Sequence, residues 1–170
     1  MKLTIEQVNG LSAETFIETF AAIFEHSPWV TEQAEQGRPY RSGADLHEAM
    51  LRIVRQAPSD AELHFIRKHP DLATRMAMGE YSVKEQQGVG LDRLSPEEYE
   101  RFTTMNRRYM EKFGFPFIFA VRGRTKADIE ASMAARIDNT AEQEREEAMR
   151  QIGRITRLRL EDLIAFGETE

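Results

Sequence analysis

The run Phe115-Pro116-Phe117-Ile118-Phe119-Ala120-Val121 constrains this chain more than any other feature. It is apolar throughout and bounded by glycines. Seven such residues read as a buried strand, yet no second strand-like run exists for it to pair with. One extended segment cannot make a sheet, and its buried backbone donors and acceptors must find other partners. Helix ends, water or a ligand are the expected ones. The rest of the chain carries helical periodicity, so the expected fold is all-α: a single-domain bundle, residues 1–170, of about eight helices with one buried extended connector at 115–121.

The helices are read from their caps. Ser12 to Phe24 is predicted helical, with Phe16, Phe20 and Ile23 on one side, until Pro28 breaks it. A short helix covers Val30 to Gln36 and stops at Gly37 and Pro39. Gly43 to Gln56 is amphipathic through Leu46, Met50, Ile53 and Val54. Ser59 is expected to cap Asp60 to Lys68. Gly79 to Gly90 reads as a loop. Ser95-Pro96-Glu97-Glu98 combines an N-cap serine, a proline at the first helical position and a capping-box glutamate; that helix runs to about Phe113 and stops at Gly114. Thr125 starts another that ends near Asn139, and the last spans about Thr140 to Phe166.

Composition excludes several function classes. The 170 residues contain no cysteine, which removes disulfides, thiolate nucleophiles and thiolate metal sites. Acidic residues outnumber basic ones, 29 to 23, for a net charge of −6; such a chain is a poor partner for nucleic acid. No apolar run is long enough to span a membrane, the N-terminus lacks the apolar core of a signal peptide, and the C-terminus carries no lipidation signal. A cytoplasmic protein without membrane or nucleic-acid partners is expected. There is no Gly-rich phosphate loop, no nucleophile elbow and no helical metal pair.

Polar residues that interrupt apolar faces carry more information. On the last helix Ala148, Met149, Ile152, Ile155, Leu163 and Phe166 share about a third of the wheel, and Arg159 falls near the middle of that arc. Arg154 and Arg157 fall opposite, toward solvent. A core-facing guanidinium stays charged and must be paired, so Arg159 meets either an internal carboxylate or an anionic ligand. Arg136 lies beside Ile129, Met133 and Ile137 and is read as a structural ion pair. Asn106 lies among Tyr99, Phe102, Tyr109 and Phe113, where it would brace a nearby loop or the connector.

His69-Pro70-Asp71-Leu72-Ala73 is the remaining oddity. Proline pushes its predecessor to extended angles and itself suits the first position of a helix. His69 is therefore expected at an N-cap, where the dipole disfavours its cationic form and a neutral imidazole can act as a base at pH 7. A cap and a base are both open readings of that residue.

Taken in order, His69-Pro70-Asp71-Leu72-Ala73, Ser82-x-x-Glu85-Gln86, Asn106-x-x-Tyr109, Lys112-Phe113-Gly114-Phe115-Pro116-Phe117, Arg136 and Leu158-Arg159-Leu160 resemble the OHCU (2-oxo-4-hydroxy-4-carboxy-5-ureidoimidazoline) decarboxylase family, from about Leu11 to Ile164. The resemblance implies an all-helical homodimer that converts OHCU to (S)-allantoin and CO2 in urate breakdown, with no metal or organic cofactor. It implies His69, Glu85 and Arg159 as catalytic residues. Pro70, the loop Ser82, Val83, Lys84, Glu85 and Gln86, and the connector backbone at Phe117, Ile118, Phe119, Ala120 and Val121 would contact substrate. Two departures stand out: a short linker from Ala73 to Ser82, and Lys84 where some members carry an acidic residue. A non-catalytic helical binding or interaction module is the alternative, with His69 as a cap and Arg159 in an internal salt bridge.

Overall fold

The computed structural model describes residues 1–69 and 95–166. Among these residues there are eight helices and no strand: α1 Ile5–Asn9, α2 Ala13–Phe20, α3 Pro28–Gln36, α4 Gly43–Gln56, α5 Ser59–Lys68, α6 Pro96–Phe113, α7 Lys126–Arg136 and α8 Ala141–Leu163. The all-α expectation holds. No helix among the described residues is long and apolar enough to cross a membrane. The expected helix start at Pro70 and the loop at 79–90 lie outside the described residues. The chain divides into two compact units, one of Met1–Lys68 with Gly153–Glu170, the other His69–Ile152; α8 contributes to both.

The first unit is built on aliphatic and aromatic stripes. Phe16 and Phe20 of α2, Leu46, Met50 and Val54 of α4, and Phe65 and Ile66 of α5 are buried, as are Ile155 and Leu160 of α8. Side-chain oxygens of Ser12 and Ser42 accept from the backbone N–H groups of Thr15 and Asp45, satisfying helix-start donors. Gly43 opens α4 because a Cβ there would come within 3.0 Å of Ile164 and Phe166 side-chain carbons. Residues at the N-terminus are tied to the end of α8: the Leu3 N–H donates to the Leu163 carbonyl at 3.0 Å, and the Ala165 N–H to the Leu3 carbonyl at 2.9 Å.

Several expectations need correction here. α2 ends at Phe20, not Phe24; residues 21–26 are turns, and the Phe20 carbonyl accepts from the Ile23 N–H at 3.1 Å and from Thr31 Oγ1 at 3.4 Å. Pro28 opens α3 where the sequence suggested only a break, which is the position proline's fixed φ favours. Ser59 lies inside α5, and the Pro58 carbonyl accepts from Ala61 and Glu62 at its start. Leu163 and Tyr99, read as parts of apolar faces, are exposed. Both sit toward a helix end, where the apolar stripe reaches past its packing partners.

The second unit holds the connector. The capping box at Ser95 and Glu98 forms, and Gly114 ends α6 at φ 75°, a left-handed value that favours glycine. Thr125 and Asp128 make a second capping box at α7. Between them residues 116–121 run on from a bend at Phe115 with no helix, turn or further bend; all of 115–121 are buried except Phe119, which is half-buried. The Tyr109 ring lies against Phe113, Phe115 and Phe117 at centroid distances of 4.6, 6.0 and 5.3 Å. That aromatic cluster packs the connector against α6.

Candidate active site

The connector's backbone is held by side chains. The Ile118 carbonyl accepts from Arg136 Nη1 at 2.7 Å, and the Ala120 N–H donates to Gln151 Oε1 at 3.0 Å. Helix ends, water and ligand were the expected partners; at these two positions α7 and α8 supply side chains instead.

Behind the connector lies a buried charged centre. Arg136 Nε donates to Glu144 Oε1 at 2.8 Å, Tyr109 donates its hydroxyl proton to the same oxygen at 2.6 Å, and Asn139 Nδ2 donates to Glu144 Oε2 at 2.9 Å. The Arg136 guanidinium also stacks over the Phe117 ring, 4.5 Å from its centroid. The Glu144 side chain is 0% exposed and that of Arg136 7%. Burial, reinforced by the hydrogen bond to Glu144, pushes the Tyr109 phenol well above its ordinary value, so it remains a donor. Arg136 is thus the structural ion pair expected of it. Asn106 is buried as expected and its Nδ2 lies 3.8 Å from the Met110 sulfur.

Arg159 sits on the last turns of α8, in the first unit. Its Nη2 pairs with Glu25 at 3.1 Å and its Nη1 donates to the Ile23 carbonyl at 3.3 Å. The two side chains are 14% and 29% exposed. Of the two partners open to Arg159, an internal carboxylate is therefore present. A guanidinium carries five N–H donors, so this pair is compatible with a ligand contact. Arg154 and Arg157 face solvent as expected.

His69 directly follows α5 and is half-buried. Pro70, Ser82, Val83, Lys84, Glu85 and Gln86 lie outside the described residues. Among the described residues no group of three His, Asp or Glu side chains is arranged to hold a metal ion.

Among the buried polar residues that sequence reasoning passed over are Glu144, Gln151 and His47. Glu144 and Gln151 stand in register with Ala148 and Ile155, at spacings of three and four, so the helical wheel could have flagged both. His47 stands three residues before Met50 and seven before Val54, on the apolar face of α4. Its Nε2 lies 3.0 Å from Thr156 Oγ1, whose own proton goes to the Gly153 carbonyl at 3.2 Å. Burial first, then the charge of Arg157, lowers the His47 pKa from 6.5 to about 4, and the ring is neutral at pH 7.

The described residues define an all-α protein in which one unit holds a non-helical connector clamped by side chains. A family model described as OHCU decarboxylase matches residues 9–161, and the chain belongs to that family. It is 43% identical to the uric acid degradation bifunctional protein PucL of Bacillus subtilis, over 98% of this chain but only 34% of that protein. It is 41% identical to the 2-oxo-4-hydroxy-4-carboxy-5-ureidoimidazoline decarboxylase of Haloferax volcanii, over 94% of this chain and 95% of that one. Among solved structures it resembles (S)-allantoin synthase, with a TM-score of 0.79 and 29% identity, over 96% of this chain and 54% of the other. An OHCU decarboxylase crystallised in the presence of (S)-allantoin shares the fold, with a TM-score of 0.67 at 21% identity.

Proposed function

We propose that this chain is a cofactor-independent carboxy-lyase that converts OHCU to (S)-allantoin and CO2 in urate breakdown. The observation that carries this reading is family membership across residues 9–161, with a full-length relative named for that activity. We further propose that the chain acts as a single catalytic domain, as a homodimer and in the cytoplasm; sedimentation and cell fractionation test the last two.

The chemistry needs an electron sink in the substrate, and OHCU supplies one: a ring C=N beside the carbon that bears both carboxylate and hydroxyl. When the bond to CO2 breaks, its electron pair forms a carbon–carbon double bond and the C=N pair moves to nitrogen, which takes up a proton. The resulting enol loses its hydroxyl proton to become a carbonyl, while a proton adds to one face of the ureido-bearing carbon. In this reading His69 engages the hydroxyl of the reacting carbon. Glu85 orients the ureido side or handles the proton. Arg159 holds a carbonyl or anionic group, a fixed cation being most effective where charge develops in a dry site. Pro70, residues 82–86 and the 117–121 backbone would contact the substrate.

The test uses OHCU generated from urate by the upstream enzymes and follows chiral allantoin by circular dichroism. Acceleration over spontaneous decay supports the proposal; none sinks it. His69→Ala is expected to lower the rate about 10²–10⁴-fold, the usual contribution of a positioned acid or base. A second reading has one observation in its favour: the Arg159–Glu25 pair is what a non-catalytic binding module would also contain. The same assay separates the two.

A further inference from the structure

The connector has two edges, and the structure says which one the protein uses. In an extended chain the N–H and C=O of one residue point to the same side, and those of its neighbours to the other. The Ile118 carbonyl and the Ala120 N–H therefore share an edge, which is the edge held by Arg136 and Gln151. The backbone groups of Phe119 and the N–H of Val121 point to the opposite edge. The Val121 carbonyl is already committed, accepting from the Arg124 N–H at 2.9 Å. Among the described residues the Phe119 backbone makes no hydrogen bond, and Phe119 is the one half-buried residue of the segment.

We propose that Gln151 and Arg136 are positioning residues for the reaction: they clamp the even-numbered edge of the connector so that the Phe119 N–H and C=O face the substrate. This rests on the decarboxylase reading above. A residue's adjacent N–H and C=O form a donor and acceptor side by side, the complement of the adjacent C=O and N–H of a cyclic ureide. The two clamps are themselves braced. Gln151 Nε2 donates to Glu147 Oε1 at 2.8 Å, which orients its carbonyl oxygen toward Ala120. Arg136 is fixed by Glu144 and stacked on Phe117. Neither clamp touches the reacting atoms; each acts through the backbone it holds. A misplaced backbone weakens substrate binding more than it alters the bond-breaking step, so the effect belongs mainly in KM.

Gln151→Met keeps the side-chain length and removes the acceptor. It is expected to raise KM for OHCU roughly tenfold while kcat stays within about threefold. The exchange Gln151→Glu with Glu147→Gln restores an acceptor for Ala120 and a donor beside it, and is expected to recover most of the loss. A purely structural role would lower Tm and leave KM unmoved. A folded Gln151→Met protein with wild-type KM overturns the inference while the decarboxylase reading stands. A wild-type protein that fails to accelerate OHCU decay overturns that reading first. An amide-resolved NMR titration of the wild-type protein with (S)-allantoin needs no variant. Phe119 and Val121 amides are expected to shift more than Ala120; the reverse order, or no shift along the connector, overturns the proposal.

Discussion

Two arginines interrupt apolar helix faces in this molecule, and the structure treats them differently. Arg136 is sealed in: its carboxylate partner is wholly buried, a phenol and an amide share that carboxylate, and an aromatic ring covers the guanidinium. Arg159 keeps one side toward solvent and pairs with a carboxylate that is itself partly exposed. A buried ion pair regains its desolvation cost only when every lone pair and proton is met. Arg136 places donors on Glu144, the Tyr109 hydroxyl and the Ile118 carbonyl, all buried, which makes it part of the scaffold. The Arg159 pair is less demanding, and its guanidinium can change partners at small cost. A core-facing arginine is thus classified by the burial of its carboxylate, not by its position on the wheel.

The largest expected effect would break the first of these centres. Glu144→Ala strands a buried guanidinium, and about 3–5 kcal/mol of stability should be lost, read as a fall in the urea midpoint. A loss below 1 kcal/mol would mean that Arg136 finds water and that the two centres are alike. Next comes His47, a buried polar residue in the same unit as Arg159. Its folded pKa of about 4 lies below the ordinary 6.5, so the unfolded chain binds the proton first. The stability it preserves is complete above pH 6.5 and is lost as pH falls toward 4, by roughly 3 kcal/mol in all. The difference between wild type and His47→Gln in urea titrations from pH 7 to 4 isolates that slope; parallel pH curves would contradict it. The smallest effect sharpens the contrast. Glu25→Gln should cost no more than about 1 kcal/mol, and a loss as large as that of Glu144→Ala would place Arg159 in the scaffold too.

Much of this was legible because it is local. Ser95-Pro96-x-Glu98 and Thr125-x-x-Asp128 specify helix starts through a handful of atoms three residues apart, and both form. Gly43 to Gln56 has the bounds its apolar stripe predicts. Arg136 was read as an ion pair because a guanidinium on an apolar face admits few alternatives. The errors fall where a local pattern continues past its packing partner. Phe24 still looks helical after α2 has ended, and it is buried all the same, its ring set against Phe65 from the turn that follows α2. Tyr99 and Leu163 continue their stripes into solvent.

The identity of the partners was not legible. Glu144 near the start of α8 also reads as a charge favouring the helix dipole, and only the packed structure shows that it meets Arg136, Tyr109 and Asn139. Gln151 reads as an ordinary helix former until its carbonyl oxygen is found on the Ala120 N–H. The sequence by itself determined that this chain is helical, that residues 115–121 form a largely buried, non-helical connector, and that its buried backbone needs partners, since hydrophobic period, cap chemistry and hydrogen-bonding need are properties of neighbouring residues. Tertiary structure alone decided which side chains do the pairing and which edge of the connector they hold. A hydrogen bond between residues 31 apart, as from Ala120 to Gln151, depends on angstrom-scale placement of the connector against α8 and leaves no periodic trace in the chain.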